Sequence, residues 1–342
     1  MSSLAVKYRP KQFSEVVGQD IVIKILTKQL EVRHFSNVYL FAGPSGDGKT
    51  TIARILANEI NKGVGTPIEI DAASNNGVDN VRMIINEANS RSLVSEYKIF
   101  IMDEAHMLTT ASWNALLKVI EEPPKYTIFM FCTTDPQKIP QTILNRCMRF
   151  DLQKINTGDI ANRLNYICEK EQVVVEDNQS LDYIAKTSDG CMRDAISKLE
   201  KVLNLTSNIN INNVISTLGS TGYETYFNLV DCIVDNNSAG LLQEIDTMSK
   251  MSLSIKTICN SMILFVLDLT KYTIFKSTKV LSYIPDLFED KIQYSTGVRQ
   301  TQEEVINYFN NFLQKIYALK DVQDISTLEV TLLGVMNEVS KT

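Results

Sequence analysis

Short apolar runs alternate with amphipathic runs through the first 150 residues of the chain. The apolar runs are hydrophobic at consecutive positions, which is typical of parallel strands covered by helices on both faces. The runs that predict strands are NVYLFA, PIEIDA, YKIFIMDE, YTIFMFCT and MRFDL, and the predicted helices between them cover 50–60, 78–92, 110–121 and 140–146. This alternation predicts βαβ units and hence a doubly wound α/β domain.

The strand pattern fades after Lys154, and the remaining sequence is predicted to be helical. A helix is expected to begin in NTGDIANRLNYICEKE with Thr157 as its cap, and two further helices are separated at Asp189-Gly190. An apolar stripe near the end of the chain is interpreted as buried core rather than as an exposed subunit contact. Its members are Val305, Phe309, Phe312 and Ile316.

One motif carries recognisable chemistry, the octet GPSGDGKT from Gly43 to Thr50. Its glycines let backbone N–H groups curl around phosphate oxygens, and the helix that follows adds partial positive charge at its N-terminus. Lys49 is expected to reach the β- and γ-phosphates, and the Thr50 hydroxyl is expected to ligate Mg²⁺. The motif stands between a predicted strand and a predicted helix, so it predicts binding of ATP or GTP.

A second signal follows the strand YKIFIMDE, which ends in Asp103 and Glu104. Asp103 is expected to hold the Mg²⁺ shell and Glu104 to activate water, so the pair indicates hydrolysis of the nucleotide. The letters DEAH also occur in helicases, but those proteins need a second α/β nucleotide-binding domain, and the region after 155 is predicted to be helical. His106 is interpreted as incidental to the chemistry.

The composition is that of a soluble globular protein, with 342 residues, 44% hydrophobic and 22% charged. The net charge of −6 argues against a generally basic nucleic-acid binder, although residues 1–154 are slightly basic and the remainder is acidic. The six cysteines are scattered without a C-x-x-C pair, so neither a zinc site nor a disulfide framework is expected. The N-terminus has no apolar core resembling a signal peptide, and no membrane association is expected. These features predict a cytoplasmic protein.

Several longer segments resemble the bacterial DNA polymerase III gamma/tau subunit, the motor of the replicative clamp loader and an AAA+ ATPase. They are LAVKYRPKQFSEVVGQD, FAGPSGDGKTTIARILA, IEIDAASNNGVDNVR, IFIMDEAHMLTTASWNALLKVIEEPP, TTDPQKIPQTILNRCMRFDL and DGCMRDAISKLEK. The similarity is dense over residues 4–200 and thin from about 220 to 342. It implies an AAA+ nucleotide-binding α/β domain at 1–154, a helical lid at 155–218 and an all-α collar at 219–342.

The resemblance also assigns roles to individual positions. Segments Lys7 to Pro10 and Val16 to Gln19 match those that flank the adenine base, Thr134 matches sensor 1, Arg146 the arginine finger that enters a neighbouring subunit, and Arg193 sensor 2. The expected catalytic residues are Lys49, Asp103, Glu104, Thr134, Arg146 and Arg193. The expected nucleotide contacts are Lys7, Tyr8, Arg9, Pro10, Val17, Gly43, Pro44, Ser45, Gly46, Asp47, Gly48, Lys49, Thr50, Thr51 and Arg193. The expected DNA contacts are Asn75, Asn76, Gly77 and Arg82, mostly through backbone N–H groups.

Three departures from the family pattern stand out. The interval NEINKGVGTP lacks the four cysteines of the family's zinc module, so no zinc is expected. Asn145 replaces the serine of the finger motif Ser-Arg-Cys. The long tail of the tau form is absent, so the chain resembles the shorter gamma form.

Taken at face value, the resemblance implies an ATP- and Mg²⁺-dependent subunit that opens a sliding clamp and loads it on primer–template DNA. Its partners would be the clamp, DNA and other loader subunits in a five-membered spiral. The same motifs leave two alternatives open: an AAA+ DNA-remodelling motor of the branch-migration type, which would need a winged-helix domain after the lid, and a catalytically silent scaffold. The intact Lys49, Thr50, Asp103 and Glu104 argue against the scaffold.

Overall fold

The computed structural model describes residues 3–218, 221–249, 255–297, 302–319 and 324–339. The chain divides into two compact units. The first comprises Met1–Lys170 and Ser188–Glu200, and the second comprises Glu171–Thr187 and Lys201–Thr342. The three-domain division at residues 154 and 218 therefore stays a prediction.

The elements are numbered in chain order. Those up to residue 170 are α1 (Leu4–Lys7), α2 (Asp20–Val32), β1 (Val38–Ala42), α3 (Lys49–Ile60), β2 (Ile68–Asp71), α4 (Val78–Ala88), β3 (Lys98–Asp103), α5 (Thr110–Glu121), β4 (Thr127–Thr133), α6 (Gln141–Leu144), β5 (Met148–Asp151) and α7 (Thr157–Lys170). Those that follow are β6 (Val174–Val175), α8 (Asn178–Thr187), α9 (Met192–Leu203), β7 (Asn208–Ile209), α10 (Ile211–Leu218), α11 (Thr221–Val234), α12 (Ser238–Ser249), α13 (Ile255–Phe275), α14 (Glu289–Gly297), α15 (Gln302–Ala318) and α16 (Ile325–Val339).

The first unit is built on a five-stranded parallel sheet with the order β2-β3-β4-β1-β5. All five strands fall where the apolar runs predict them, and the doubly wound α/β architecture is confirmed. Strand β1 lies between β4 and the edge strand β5, so the loop that follows β1 emerges beside the carboxyl end of the central strand β4. In open parallel sheets, ligands bind at the carboxyl ends of the strands.

Side chains from the three central strands, β3, β4 and β1, enter two separate apolar layers, because successive residues of a strand point to opposite faces. One layer joins α2 and α3 to the sheet and includes Leu26, Phe41, Leu56, Ile101 and Met130. The other joins α4 and α5 to the opposite face and includes Leu40, Val81, Phe100, Leu116 and Phe129. Burial on both faces explains why the strands are apolar at consecutive positions.

Two details of the predicted helices are wrong, and short polar side chains are the reason for both. Helix α4 ends at Ala88 rather than at 92, because Asn89 donates to the Ile85 carbonyl (3.0 Å) and Ser90 to the Glu87 carbonyl (2.8 Å). Helix α7 begins at Thr157 as expected, but Asn156 caps it: its Oδ1 accepts the backbone N–H of Asp159 at 2.8 Å.

The second unit is mainly helical but contains one short parallel pair that the sequence pattern missed. Val174 and Val175 in β6 pair with Asn208 and Ile209 in β7. Two-residue strands are too short to show a period. The predicted break between two helices is confirmed, since α8 ends at Thr187, α9 begins at Met192, and Asp189 and Gly190 have φ values of 46° and 80°.

Helix α13 is the core helix of the second unit. By length and composition its segment Ile258–Phe275 could cross a membrane, but 56% of that segment is buried within the protein. Phe265 packs edge-to-face on Phe227 at 4.7 Å, and the fully buried carboxylate of Asp268 accepts backbone N–H groups from Ser282, Tyr283 and Ile284. The stripe predicted on α15 is also core, since Val305, Phe309, Phe312 and Ile316 are all buried.

Candidate functional site

Three neighbouring strands of the first unit end at one edge of the sheet, and each supplies polar groups there. The phosphate-loop motif follows β1, Asp103 is the last residue of β3, and Thr134 comes directly after β4. Backbone hydrogen bonds link neighbouring strand ends at this edge. For example, the Gly43 N–H after β1 donates to the carbonyl of Thr133 at the end of β4, at 3.2 Å. The sheet therefore brings together residues that are 30 to 90 positions apart in the sequence.

The loop from Gly43 to Gly48 makes a tight turn into α3. Gly46 has φ of 74°, and a Cβ added to it would lie 2.2 Å from the Sγ of Cys191 and 3.3 Å from the Cβ of Arg193. A side chain at position 46 is thus excluded by both the backbone conformation and the packing. This close approach also positions the start of α9, and with it Arg193, beside the loop.

The Lys49 ammonium is buried and makes three contacts within the loop. It donates to the carbonyls of Gly43 (2.8 Å) and Pro44 (2.5 Å) and pairs with Asp47 Oδ1 (3.1 Å). The side chains of Lys49 and Asp47 are 6% and 1% exposed. Gly43 and Pro44 therefore act through their carbonyls, which hold the lysine at the loop.

Thr50 and Asp103 are in direct contact. The Thr50 hydroxyl donates to Asp103 Oδ2 at 2.9 Å, which joins the start of α3 to the end of β3. A hydroxyl and a carboxylate in contact provide the hard oxygen ligands that Mg²⁺ prefers. The donor set fits a magnesium ion that is also bound by phosphate oxygens.

Glu104 has a left-handed backbone conformation, with φ of 47°. Its Oε2 accepts the Thr134 hydroxyl at 3.1 Å and lies 3.4 Å from Nδ1 of His106. The same His106 nitrogen is 3.1 Å from the Thr133 hydroxyl. The imidazole therefore bridges Glu104 and the end of β4, a contact that the sequence did not indicate.

These groups face a cleft of about 1060 Å³, a volume that includes its open mouth. Its walls include most of the expected nucleotide-binding and catalytic residues, namely Tyr8, Arg9, Pro10, Val17, Ser45, Gly46, Asp47, Gly48, Lys49, Thr50, Thr51, Asp103, Glu104 and Arg193. Five expected site residues are not on these walls, namely Lys7, Gly43, Pro44, Thr134 and Arg146. The Lys7 ammonium instead lies 5.4 Å from the centroid of the Tyr8 ring.

Two arginines on the walls were missed by the sequence reasoning. Arg54 follows Thr50 by one helical turn of α3 and pairs with Glu69 at 2.5 Å. Arg163, on α7, donates to the Tyr8 carbonyl at 2.9 Å. The helical spacing from Thr50 could have indicated Arg54, whereas no signal in the sequence pointed to Arg163.

Arg146 lies away from the cleft of its own chain. Its guanidinium is 38% exposed, pairs with Glu121 at 2.6 Å and donates to the Thr142 carbonyl at 2.6 Å. Asn145, which stands in the place of the family's serine, accepts a hydrogen bond from Gln141 at 2.8 Å.

The residues expected to contact DNA lie at the start of α4. Asn75 donates to the Asp71 carbonyl at 3.0 Å, whereas the side chain of Asn76 is exposed. Gly77 is the N-cap of α4, and Arg82 is exposed and pairs with Asp79 at 3.1 Å.

Family models match two segments of the chain. Residues 65–156 match the DNA polymerase III delta subunit, and residues 159–206 match the ATPase lid domain of the DNA polymerase III clamp loader subunit. These segments include β3, β4, Arg146 and Arg193, and thus much of the site.

The chain is also similar to characterised proteins along most of its length. It is 36% identical to the DNA polymerase III subunit tau of Bacillus subtilis over 287 residues, 78% of this chain and 51% of that protein. It is 33% identical to the gamma/tau subunit of Mycoplasma genitalium, over 87% of this chain and 54% of that protein. It is 33% identical to the gamma subunit of Buchnera aphidicola (subspecies Schizaphis graminum), over 77% of this chain and 78% of that protein. The chain spans about half the length of the first two relatives.

Among solved structures, the RuvB Holliday junction branch migration motor of Thermotoga maritima resembles the chain with a TM-score of 0.54 and 23% identity. That match covers 66% of this chain and 79% of RuvB. At this identity the likeness establishes the fold alone. The sequence identity to the gamma and tau subunits also establishes the family: the chain belongs to the DNA polymerase III gamma/tau family.

Proposed function

We propose that this protein is an ATP-hydrolysing subunit of a clamp loader, which opens a ring-shaped sliding clamp and places it on primer–template DNA. The observation that carries the proposal is the convergence of Lys49, Thr50, Asp103 and Glu104 on one cleft in a member of this family. A chain that only served as a scaffold would not need a lysine, a magnesium-type donor pair and a carboxylate at one place.

The nucleotide is ATP and the ion is Mg²⁺, held by Thr50 and Asp103. Their contact at 2.9 Å supports this assignment, because both oxygens are already directed to one point. When bound, the ion would neutralise charge on the β- and γ-phosphates. Lys49 and the N-terminus of α3 bind the same phosphates.

Glu104 orients and activates the attacking water. Its contact with the Thr134 hydroxyl supports a link between the sensor position after β4 and this carboxylate. Thr134 then acts on the reaction through Glu104, as a positioning residue. His106 lies 3.4 Å from the same carboxylate oxygen and helps to fix its position.

The two arginines have different roles. Arg193 acts within its own chain, which its position on the cleft wall supports. Arg146 acts in the cleft of a neighbouring subunit, which its partial exposure and its distance from its own cleft support. A cation added from a second chain would stabilise the phosphoryl group only in the assembled loader.

The protein acts as part of a larger assembly. The chain joins other loader subunits in a five-membered spiral in the cytoplasm, with residues 1–154 as the nucleotide-binding domain, 155–218 as the lid and 219–342 as the collar. No zinc is part of this proposal, because the interval NEINKGVGTP lacks the four cysteines of the family's zinc module.

A DNA-remodelling motor of the branch-migration type is the alternative. It would share the cleft but would need a winged-helix domain after the lid. In the described part of residues 221–339 the regular elements are helices, with no strand among them. The clamp-loader function is therefore favoured.

The direct test of this function is the ATPase rate of the assembled loader with and without its clamp and primed DNA. We expect the clamp and primed DNA together to raise the rate by about tenfold, because ligand coupling of this size is typical of allosteric proteins. Four-way junction DNA serves as the control. Stimulation by the junction but not by clamp and primed DNA would favour the remodelling motor.

Replacing Glu104 with glutamine removes the base and keeps the shape of the side chain. We expect Glu104→Gln to bind ATP normally and to hydrolyse it on the order of 100-fold more slowly, the usual contribution of a general base. Binding and single-turnover hydrolysis should be measured separately. Glu122→Gln, at an exposed position after α5, is the matched control; normal turnover in Glu104→Gln would disprove the assignment.

The start of α4 is the proposed DNA surface. Helix N-termini and Asn side chains contact phosphates without reading base sequence, so each subunit would bind DNA weakly and several copies would sum to useful affinity. Because the amide of Asn75 is already bound to the Asp71 carbonyl, Asn76 is the side chain best placed to contact a phosphate.

Aspartate at positions 75 and 76 would repel the DNA backbone. We expect the Asn75→Asp, Asn76→Asp variant, and Asn76→Asp alone, to lose most of the DNA stimulation of the assembled loader's ATPase, with the clamp-only rate unchanged. Asn58→Asp adds the same charge to an exposed position on α3, on the other face of the sheet, and should behave as wild type. Full DNA stimulation in both Asp variants at positions 75 and 76 would rule out this surface.

A further inference from the structure

The phosphate loop contains an anion of its own. Asp47 stands between Gly46 and Gly48, where the ligand would also be an anion, and its side chain is only 1% exposed. Loops of this kind bind phosphate through backbone N–H groups and a lysine. A buried carboxylate at this point has the same sign of charge as the ligand, and the chemistry assigned to the site does not use it.

Asp47 occupies two of the donors that a phosphate needs. Its Oδ1 lies 3.1 Å from the Lys49 ammonium and accepts the backbone N–H of Lys49 at 3.4 Å. An ammonium has three N–H donors, and the other two are bound to the carbonyls of Gly43 and Pro44. A phosphate that binds Lys49 must therefore compete with a loop carbonyl or with Asp47. Of these partners, only Asp47 carries the charge that a phosphate could replace.

Only one of the two oxygens of the Asp47 carboxylate has a hydrogen-bond partner. Its second oxygen, Oδ2, is buried without a hydrogen-bond partner, and it lies 2.2 Å from the point where a Cβ on Gly43 would be. Burial raises the pKa of Asp47, and the adjacent Lys49 opposes that rise. Such a group is unfavourable for stability, since a buried polar atom without a partner loses its hydrogen bonds to water and gains none in return. Residues of this kind are found mainly where function requires them.

We propose that Asp47 competes with a nucleotide phosphate for Lys49 and so weakens the affinity of the subunit for nucleotide. Its carboxylate neutralises the Lys49 ammonium and accepts the Lys49 backbone N–H. Nucleotide binding separates the Asp47–Lys49 pair and leaves Asp47 near the incoming phosphates. The consequence is a subunit that exchanges nucleotide more readily than it would with an uncharged residue at position 47. This proposal rests on nucleotide being the ligand of the loop.

The test compares the wild-type protein with Asp47→Asn and Asp47→Thr, using titrations with Mg²⁺-ATP and Mg²⁺-ADP. Asparagine keeps the size of the side chain and removes its charge, and threonine is a second uncharged residue of different shape. We expect both variants to bind each nucleotide about tenfold more tightly, equivalent to ~1.4 kcal/mol. Asp79→Asn, at an exposed position on α4, removes the same charge outside the cleft and should leave the dissociation constants unchanged.

The outcomes separate this proposal from the proposed function. If the wild-type protein binds nucleotide as tightly as both folded variants, or more tightly, the proposal is wrong. Asp47 then only stabilises the conformation of the loop, and the proposed function still holds. If neither wild type nor either variant binds nucleotide, both are wrong. Thermal unfolding monitored by circular dichroism identifies any variant that has not folded.

Discussion

Parallel pairing of β3, β4 and β1 is the constraint on which the rest of this site depends. The phosphate loop follows β1, Asp103 ends β3 and Thr134 follows β4, and the sheet forces all three strand ends to one edge. The contact between Thr50 and Asp103, residues 53 positions apart, exists only because β1 and β3 flank β4 in the same direction. The apolar layers on both faces fix this pairing, so the chemistry at the edge is a consequence of the core.

Much of this arrangement could be predicted from the sequence, and the reasons are physical. Strands buried on both faces must be apolar at consecutive positions, and a phosphate loop must have glycines and lysine at fixed spacing. The missed features depend instead on contacts made in three dimensions. His106 contacts Glu104 and Thr133 only in the register of β3 on β4, and β6 and β7 are too short to show a pattern. Asn156 caps α7 in place of Thr157, and the sequence alone does not show which of two adjacent polar residues forms the capping hydrogen bond.

The same edge contains two local conflicts. Glu104 adopts a left-handed backbone conformation, and Asp47 is a buried carboxylate with one unpaired oxygen. Elsewhere in the described residues, buried charge is better compensated, as at Asp268, which accepts three backbone N–H groups. The conflicts at the edge concern groups that a bound nucleotide, its metal ion and the attacking water would each rearrange. The cleft therefore suits a ligand whose binding changes the net charge of the cleft.

The central claim is that this cleft binds a nucleoside triphosphate through Lys49. The most direct measurement is a calorimetric titration of the purified chain with Mg²⁺-ATP, repeated with Lys49→Met and with Lys62→Met, which changes an exposed lysine beyond α3. The account predicts one ATP per chain for wild type and Lys62→Met, and affinity reduced at least about 100-fold, or ~2.7 kcal/mol, for Lys49→Met. Equal binding by wild type and Lys49→Met, or no binding by wild type, would contradict it.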